Sequence, residues 1–361
     1  MSEMPDMNGL ELHNFAIEEQ VALSKLKAKA HHAFVTGAGG FLGKAICKRL
    51  LAAGIQVTGF ARGDYPELSA MGVKMIKGDI ADQTSVIEAM KGCDLVFHVA
   101  SKAGVWGSKL SYFSPNVAGA AHIIQGCKQL GIANLVYTST PSVTFAGEDE
   151  AGLDETAPYA ETFLNYYGES KAVAEKMMID ANSEVLKTVS LRPHLIWGPE
   201  DPHLVPRVIS RAKAGRLKLV GREDKLVDTI YVDNAAYAHI LAAINLSEPD
   251  TKVAGKAYYL SNDEPITMAD MLNKILACVD MPKVTQRVPA SLAYGVGVIL
   301  EAYYSLMNKQ EEPVMTRFVA RQLSTSHYFD ISAAKTDFGY SAIVSIDQGM
   351  VKLREYLTEI E

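Results

Sequence analysis

Apolar and polar positions alternate along this chain in two rhythms. Short apolar-rich runs at 33–36, 55–60, 73–77, 94–100, 134–139, 188–191 and 256–261 read as strands, and 94–100, apolar at nearly every position, as one covered on both faces. Several of the intervening stretches repeat at helical spacing. Behind the first run stand Phe41, Leu42, Ala45, Ile46, Leu50 and Leu51, and the stretch 116–130 puts Ala120, Ile123, Ile124 and Cys127 on one side. Strand and helix in turn predict an α/β chain with a doubly wound parallel sheet and helices on both faces.

The rhythm changes after residue 193. Pro199, Pro202 and Pro206 interrupt it, and a basic helix follows with Arg207, Arg211, Lys213 and Arg216 on a solvated face. The segment 228–233 and a helix over 235–244 return to the sheet, whereas 263–361 reads as a smaller, irregular part. Within it, 290–307 is apolar and rich in tyrosine. It is near membrane-span length, but Glu301 and the polar residues near it count against a spanning helix. A substrate-covering or partner-binding helix is expected, and a peripheral membrane or enzyme-complex contact stays open. At the other end Ile17, Val21, Leu23 and Leu26, among Glu18, Glu19, Lys25 and Lys27, predict a short amphipathic helix within an N-terminal extension over 1–30.

Composition narrows the class. Hydrophobic residues make up 48% and charged ones 21%, as in an ordinary globular protein. A net charge of −7 offers nucleic acid no support as a partner. The four cysteines are scattered without a C-x-x-C pair, so neither a disulfide nor a metal framework is expected. No apolar signal-peptide core precedes residue 30, and a cytoplasmic protein is expected.

The chemistry starts where the first apolar run ends in glycines. Gly37, Gly40 and Gly43 form G-x-x-G-x-x-G, with Phe41 and Leu42 opening the helix behind them. Glycines let the backbone approach a pyrophosphate, and a helix N-terminus offers free N–H groups and a positive dipole end. A Rossmann-type site for a dinucleotide follows, and with it a dinucleotide-binding domain over 31–192, continued by about 228–262. The remaining segments, 193–227 and 263–361, would bind substrate. At the end of the second run an acid would hold the ribose hydroxyls of NAD. Ala61 stands there instead and Arg62 follows, which suits a 2′-phosphate and favours NADP(H) over NAD(H). Past the third run comes Asp79-Ile80, where Asp79 can meet the adenine amino group or cap the next helix. Tyr167 and Lys171 stand four apart, on one helix face, and can point at one bound molecule.

In order and spacing these pieces resemble the extended short-chain dehydrogenase/reductase superfamily. The parts that carry the resemblance are Thr36-Gly37-x-x-Gly40-x-x-Gly43, Asp79, Tyr137-Thr138-Ser139-Thr140, Tyr167-x-x-x-Lys171 and Arg192-Pro193. The Leu191-to-Pro199 stretch is similar to the 3β-hydroxysteroid dehydrogenase branch. Within it, 100–107, 138–144 and 228–236 resemble the bacterial reductases of 2-alkyl-3-oxoalkanoates in long-chain olefin biosynthesis. The resemblance implies that Tyr167 exchanges a proton with the substrate oxygen. It makes Lys171 the cation that lowers the phenol's pKa and binds the nicotinamide ribose, and Thr140 the hydroxyl that orients the carbonyl, with Ser139 in reserve. Serine is usual at that place. Asn116 would steady the active-site helix, and Ile80, Ala100 and Pro193 would join the cofactor contacts. The implied substrate is a large apolar keto or hydroxy acid, or a sterol in the hydroxysteroid alternative. Leu292, Tyr294, Val296, Val298, Ile299, Leu300, Tyr303 and Tyr304 would suit its alkyl chains, and Lys102 or His194 its carboxylate. A sugar-nucleotide epimerase or dehydratase is a third reading; Pro141 and Ser142, where a dehydratase carries an Asp-Glu pair, count against dehydration. A redox-sensing binder would need no proton donor. A homo-oligomer stays open.

Overall fold

Seven apolar runs become seven parallel strands. They are β1 (His32–Thr36), β2 (Gln56–Ala61), β3 (Lys74–Lys77), β4 (Leu95–His98), β5 (Asn134–Thr138), β6 (Lys187–Pro193) and β7 (Lys256–Leu260). This is a computed structural model, and it describes residues 11–360. The first ten residues of the expected N-terminal extension lie outside the described residues. Across the sheet the order is β7-β6-β5-β4-β1-β2-β3, every pairing parallel. The chain therefore reverses its direction of travel between β1 and β4, and a crevice opens there at the carboxyl ends of the strands. The fourth run makes a shorter strand than its apolar length suggests. Val99 and Ala100 give their N–H groups to the Thr36 hydroxyl at 3.1 and 3.0 Å rather than continuing the ladder.

Helices cover both faces: α1 (Ile17–Lys27), α2 (Phe41–Ala52), α3 (Gly119–Leu130), α4 (Tyr166–Asp180) and α5 (Val232–Leu246). One core joins α1, α2 and α5 to the sheet, with Leu26, Ile46, Leu50, Ala235 and Ala238 buried in it. The other joins α3 and α4 to the opposite face through Ile123, Cys127, Ala174 and Met178. All four cysteines are buried and unpaired.

The N-terminal helix departs from its expected face. Ala22, Leu23 and Leu26 are buried, while Ile17 and Val21 face solvent. Glu19 goes inward with them because Arg49 waits there, 2.6 Å away, itself bonded to Asp233 at 2.9 Å.

Short pieces from 140 to 165 and from the carboxyl-terminal part build a second sheet that the apolar pattern does not announce. It runs Ile266–Thr267, Leu226–Val227, His327–Phe329, Glu150–Leu153. The tyrosine-rich stretch is a helix, α6 (Ala290–Leu306). Gly297 faces inward, where an added Cβ would sit 2.7 Å from the Thr316–Arg317 backbone, and Glu301 holds the Arg317 guanidinium at 2.6 Å. Leu292, Val296, Val298, Ile299 and Tyr303 are exposed, so most of the apolar side chains expected to cover substrate face away from the protein. Helical periodicity causes the split: the small residues lie on the face that packs. Among the described residues no helix is long and apolar enough to cross a membrane.

Candidate active site

The glycine turn sits at the point where the sheet order reverses. Gly37 has a φ of 66° and its absent side chain lets Ala100 approach; a Cβ would lie 2.9 Å from the Ala100 Cα. At Gly43 a Cβ would fall 2.1 Å from the Gly37 carbonyl, so the turn and the first coil of α2 interlock only without one. Gly40 is exposed at the N-cap of α2, and the amides of Phe41 and Leu42 belong to the first turn, which has no intrahelical acceptors to offer them. These first-turn amides, behind a turn built of glycines, fit a pyrophosphate.

Further along the same edge, Arg62, Asp79, Lys102, Ser108, Leu110, Ser111, Ser114 and Pro115 line a cleft of about 580 Å³. The Arg62 guanidinium is exposed, and no hydrogen bond or ion pair within the described residues engages it. Asp79 caps locally, accepting from the Ala81 amide at 2.9 Å. Ile80 lies under α3, where a Cβ on Gly119 would meet it at 2.9 Å, and its carbonyl meets His122 at 3.0 Å. Structure thus brings Arg62 and Asp79 to one cleft and puts Ile80 behind it.

The other group of residues gathers on α4. Asn165 caps that helix, accepting from the Gly168 amide at 2.9 Å. Tyr167 and Lys171 share a face, as four-residue spacing requires. Thr140, whose hydroxyl accepts the Ser142 amide at 3.2 Å, lies beside the Tyr167 phenol and acts on its pKa. The hydroxyl beside Tyr167 is that of Thr140; the buried Ser139 hydroxyl has no hydrogen-bond partner among the described residues. Burial pushes the Tyr167 phenol above its ordinary value, with the Thr140 side chain opposing. The depression expected from Lys171 does not appear. Burial brings Lys171 itself down to about 7, opposed by Glu175, and its ammonium turns to the Thr138 carbonyl at 2.5 Å and the Tyr137 ring.

Asn116 lies in a single π-turn, Ser114–Ala118, where the apolar pattern suggested the start of the helix. Such turns re-aim side chains. Asn116 accepts the Lys102 amide at 2.7 Å and donates to the Lys102 carbonyl and, at 2.9 Å, to Ser170 on α4. It ties the loop after β4 to the helix that carries Tyr167. Pro193 closes β6, paired in register with Leu260 on β7.

Neither residue expected to meet a substrate carboxylate forms a hydrogen bond to Thr140 or Tyr167. The Lys102 ammonium bonds Ser111 at 2.7 Å and lies over the Tyr112 ring, inside the Arg62 cleft. His194 is buried between His327 and Phe329, and burial holds it well below its ordinary value.

One residue that the spacing could have disclosed is Glu175, eight after Tyr167 and therefore on the same face. It is wholly buried, paired with Arg192 at 2.6 Å, and accepts from Tyr159 at 2.8 Å. His98 is less legible. Its Nδ1 meets Thr36 at 2.8 Å across two strands, its Nε2 has no partner among the described residues, and burial followed by the Lys171 charge brings it down to about 3.

The sequence profile of the 3-beta hydroxysteroid dehydrogenase/isomerase family matches residues 34–289. A 2-alkyl-3-oxoalkanoate reductase of Shewanella oneidensis is 69% identical over 94% of this chain and 89% of its own length. Its counterpart in Stenotrophomonas maltophilia is 48% identical, over 89% and 97% respectively. Among solved structures, a UDP-glucuronic acid 4-epimerase of Bacillus cereus in complex with NAD superposes with a TM-score of 0.69 at 20% identity, covering 91% of this chain and 99% of that one. At that identity the likeness is one of fold.

Proposed function

Because the chain belongs to the 3-beta hydroxysteroid dehydrogenase/isomerase family, we propose that it is an NADP(H)-dependent oxidoreductase that interconverts the 3-oxo and 3-hydroxy groups of a 2-alkyl-3-oxoalkanoate. The observation that carries the chemistry is that the Thr140 side chain stands beside the Tyr167 phenol and opposes the rise of its pKa, one helical turn from a buried Lys171. Two hydroxyls held together in this way can hold one carbonyl oxygen between them. The relatives' names carry the substrate. A reductase of this class would serve long-chain olefin biosynthesis.

Gly37, Gly40, Gly43, Phe41 and Leu42 would hold the pyrophosphate of a nicotinamide dinucleotide, Arg62 its 2′-phosphate and Asp79 its adenine. Ile80, Ala100, Lys171 and Pro193 would border the rest. When bound, that cofactor supplies or accepts the hydride. During reduction Tyr167 gives its proton to the substrate oxygen while Thr140 donates a hydrogen bond to the same atom. During oxidation the phenolate takes the proton back. A phenol pushed upward by burial keeps its proton at neutral pH, which suits the reductive direction. Lys171 stiffens the arrangement from behind, bonded to the end of β5.

A spectrophotometric comparison of NADP⁺ reduction with 2-alkyl-3-hydroxy acids, 3β-hydroxysteroids and UDP-sugars tests the reading. Turnover of the acids that climbs with alkyl length is expected, since each buried methylene contributes about 0.8 kcal/mol. Better turnover of a compact sterol transfers the assignment to the hydroxysteroid dehydrogenases, the reading that the family's name favours. Turnover of UDP-sugars alone defeats both.

The exposed stripe on α6 is the surface we assign to a peripheral contact, with a membrane or a partner enzyme. Ile299→Glu should leave thermal stability unchanged, since the side chain is 69% exposed. It should also remove whatever sedimentation with lipid vesicles the wild type shows. Equal sedimentation of both proteins would remove the stripe from that role.

A further inference from the structure

We propose that Tyr65 is a positioning residue for the 2′-phosphate: it docks the loop after β2 onto the glycine turn and so aims Arg62. The inference rests on the reading of Arg62 given above and adds the device that orients it.

Gly39 is the glycine of the turn that neither conformation nor helix packing explains. Its φ is not positive, unlike that of Gly37. What occupies the place of its side chain is the Tyr65 ring: an added Cβ would lie 2.2 Å from Cζ and 2.3 Å from both Cε atoms. Contact with three ring atoms at nearly one distance means that the ring lies face-on over Gly39. Its hydroxyl edge lies against Gly63, where an added Cβ would be 3.1 Å from the oxygen. Tyr65 thus spans the two segments, glycine turn and arginine loop, that would grip opposite ends of an adenosine diphosphate.

The main chain around it is anchored as well. The Tyr65 carbonyl accepts from the Leu68 and Ser69 amides at 3.1 and 3.3 Å, with Pro66 opening the short helix Pro66–Ala70. On the other side the Ala61 carbonyl accepts the Gly78 amide at 2.9 Å. The nearest acid of the loop, Asp64, is paired with Lys77 at 2.7 Å instead of with Arg62. Between these anchors Arg62 is left facing the cleft with its guanidinium unengaged. A guanidinium reads a phosphate best through two parallel hydrogen bonds, a geometry that a drifting loop cannot hold.

Calorimetric titration with adenosine 2′,5′-bisphosphate and with 5′-AMP, which lacks only the 2′-phosphate, tests this without turnover. Wild type should bind the bisphosphate more tightly. Tyr65→Ala should weaken the bisphosphate at least tenfold and 5′-AMP less than threefold. Tyr65→Phe should keep the wild-type preference, because the ring does the docking. Gly39→Ala, which fills the ring's seat, should reproduce Tyr65→Ala. If Tyr65→Ala weakens both probes alike or neither, or if Tyr65→Phe behaves as Tyr65→Ala does, the inference is overturned. A wild type that does not distinguish the probes overturns the Arg62 reading itself, and this inference with it. Should Gly39→Ala fail to fold, the two Tyr65 variants still decide.

Discussion

Thr140 carries two duties at the scale of single residues. Its hydroxyl caps the turn Pro141–Val143 by accepting the Ser142 amide, and it faces the Tyr167 phenol. Losing one oriented donor to a developing oxyanion costs on the order of 10²-fold in kcat. Thr140→Ala should therefore show a loss of that size, while Thr140→Ser keeps most activity and Ser139→Ala is mild. The reverse ranking in steady-state kinetics would transfer the role to Ser139. Arg62 sets a second expectation. Arg62→Ala should raise the KM for NADPH and leave that for NADH nearly unchanged, and a wild type that prefers NADH would contradict the assignment. At this scale the sequence was most legible where spacing alone brings residues together. Tyr167 and Lys171 needed only helical geometry, whereas Tyr65 over Gly39 and His98 beside Thr36 are contacts across elements that no local pattern announces.

Among the elements, α4 is the one whose interior matters most. Tyr167, Lys171 and Glu175 recur every four residues, so the face that carries the phenol continues into a buried ion pair with Arg192 on β6. Removing one member of such a pair strands the other charge and costs about 3–5 kcal/mol. Glu175→Gln is expected to lower the thermal midpoint clearly and to lower Lys171's pKa further, since Glu175 is the group that opposes burial there. An unchanged midpoint would mean that Arg192 finds another partner. The seven main strands could be read from the chain because a parallel sheet buries both faces, which leaves apolar runs with clear ends. The second sheet could not. Its strands are two to four residues long, too short for a period of two to register, and their partners stand far off in the chain, as His327 does from Glu150 and from Val227. The same limit applies to α6, whose apolar content was visible but whose direction depended on where Gly297 finds room.

Over the whole molecule, buried neutral histidines dominate the response to acid. Burial brings His98 to about 3, His239 and His327 to about 4, and His194 well below its ordinary value. Unfolded, each would take a proton near 6.5. As pH falls below 6.5 the unfolded chain binds protons that the folded chain refuses, so stability is lost. Glu150, pushed up to about 7, and Asp228, to about 6, act in the opposite sense, as do Glu19, Glu155 and Asp201, which burial also raises, but the four histidines refuse protons over the whole interval. The thermal midpoint should therefore fall steadily from pH 6.5 to 4.5. Above neutrality the sign for Lys171 is also positive. Its folded value near 7 lies below the unfolded one, so its contribution rises with pH through the alkaline range. A midpoint that is flat or rising between pH 6.5 and 4.5 would show that these histidines are charged in the folded protein.

Tyr167 is where the proposed chemistry stands or falls. The most direct measurement compares wild type and Tyr167→Phe for NADP⁺ reduction by a long-chain 2-alkyl-3-hydroxy acid, with NADPH binding followed by fluorescence in the same preparations. The hydroxyl is the only group that the substitution removes, and the ring that packs α4 remains. The expected result is turnover in the wild type and a kcat lower by several orders of magnitude in the variant, with NADPH still bound. Full activity in Tyr167→Phe would contradict the account.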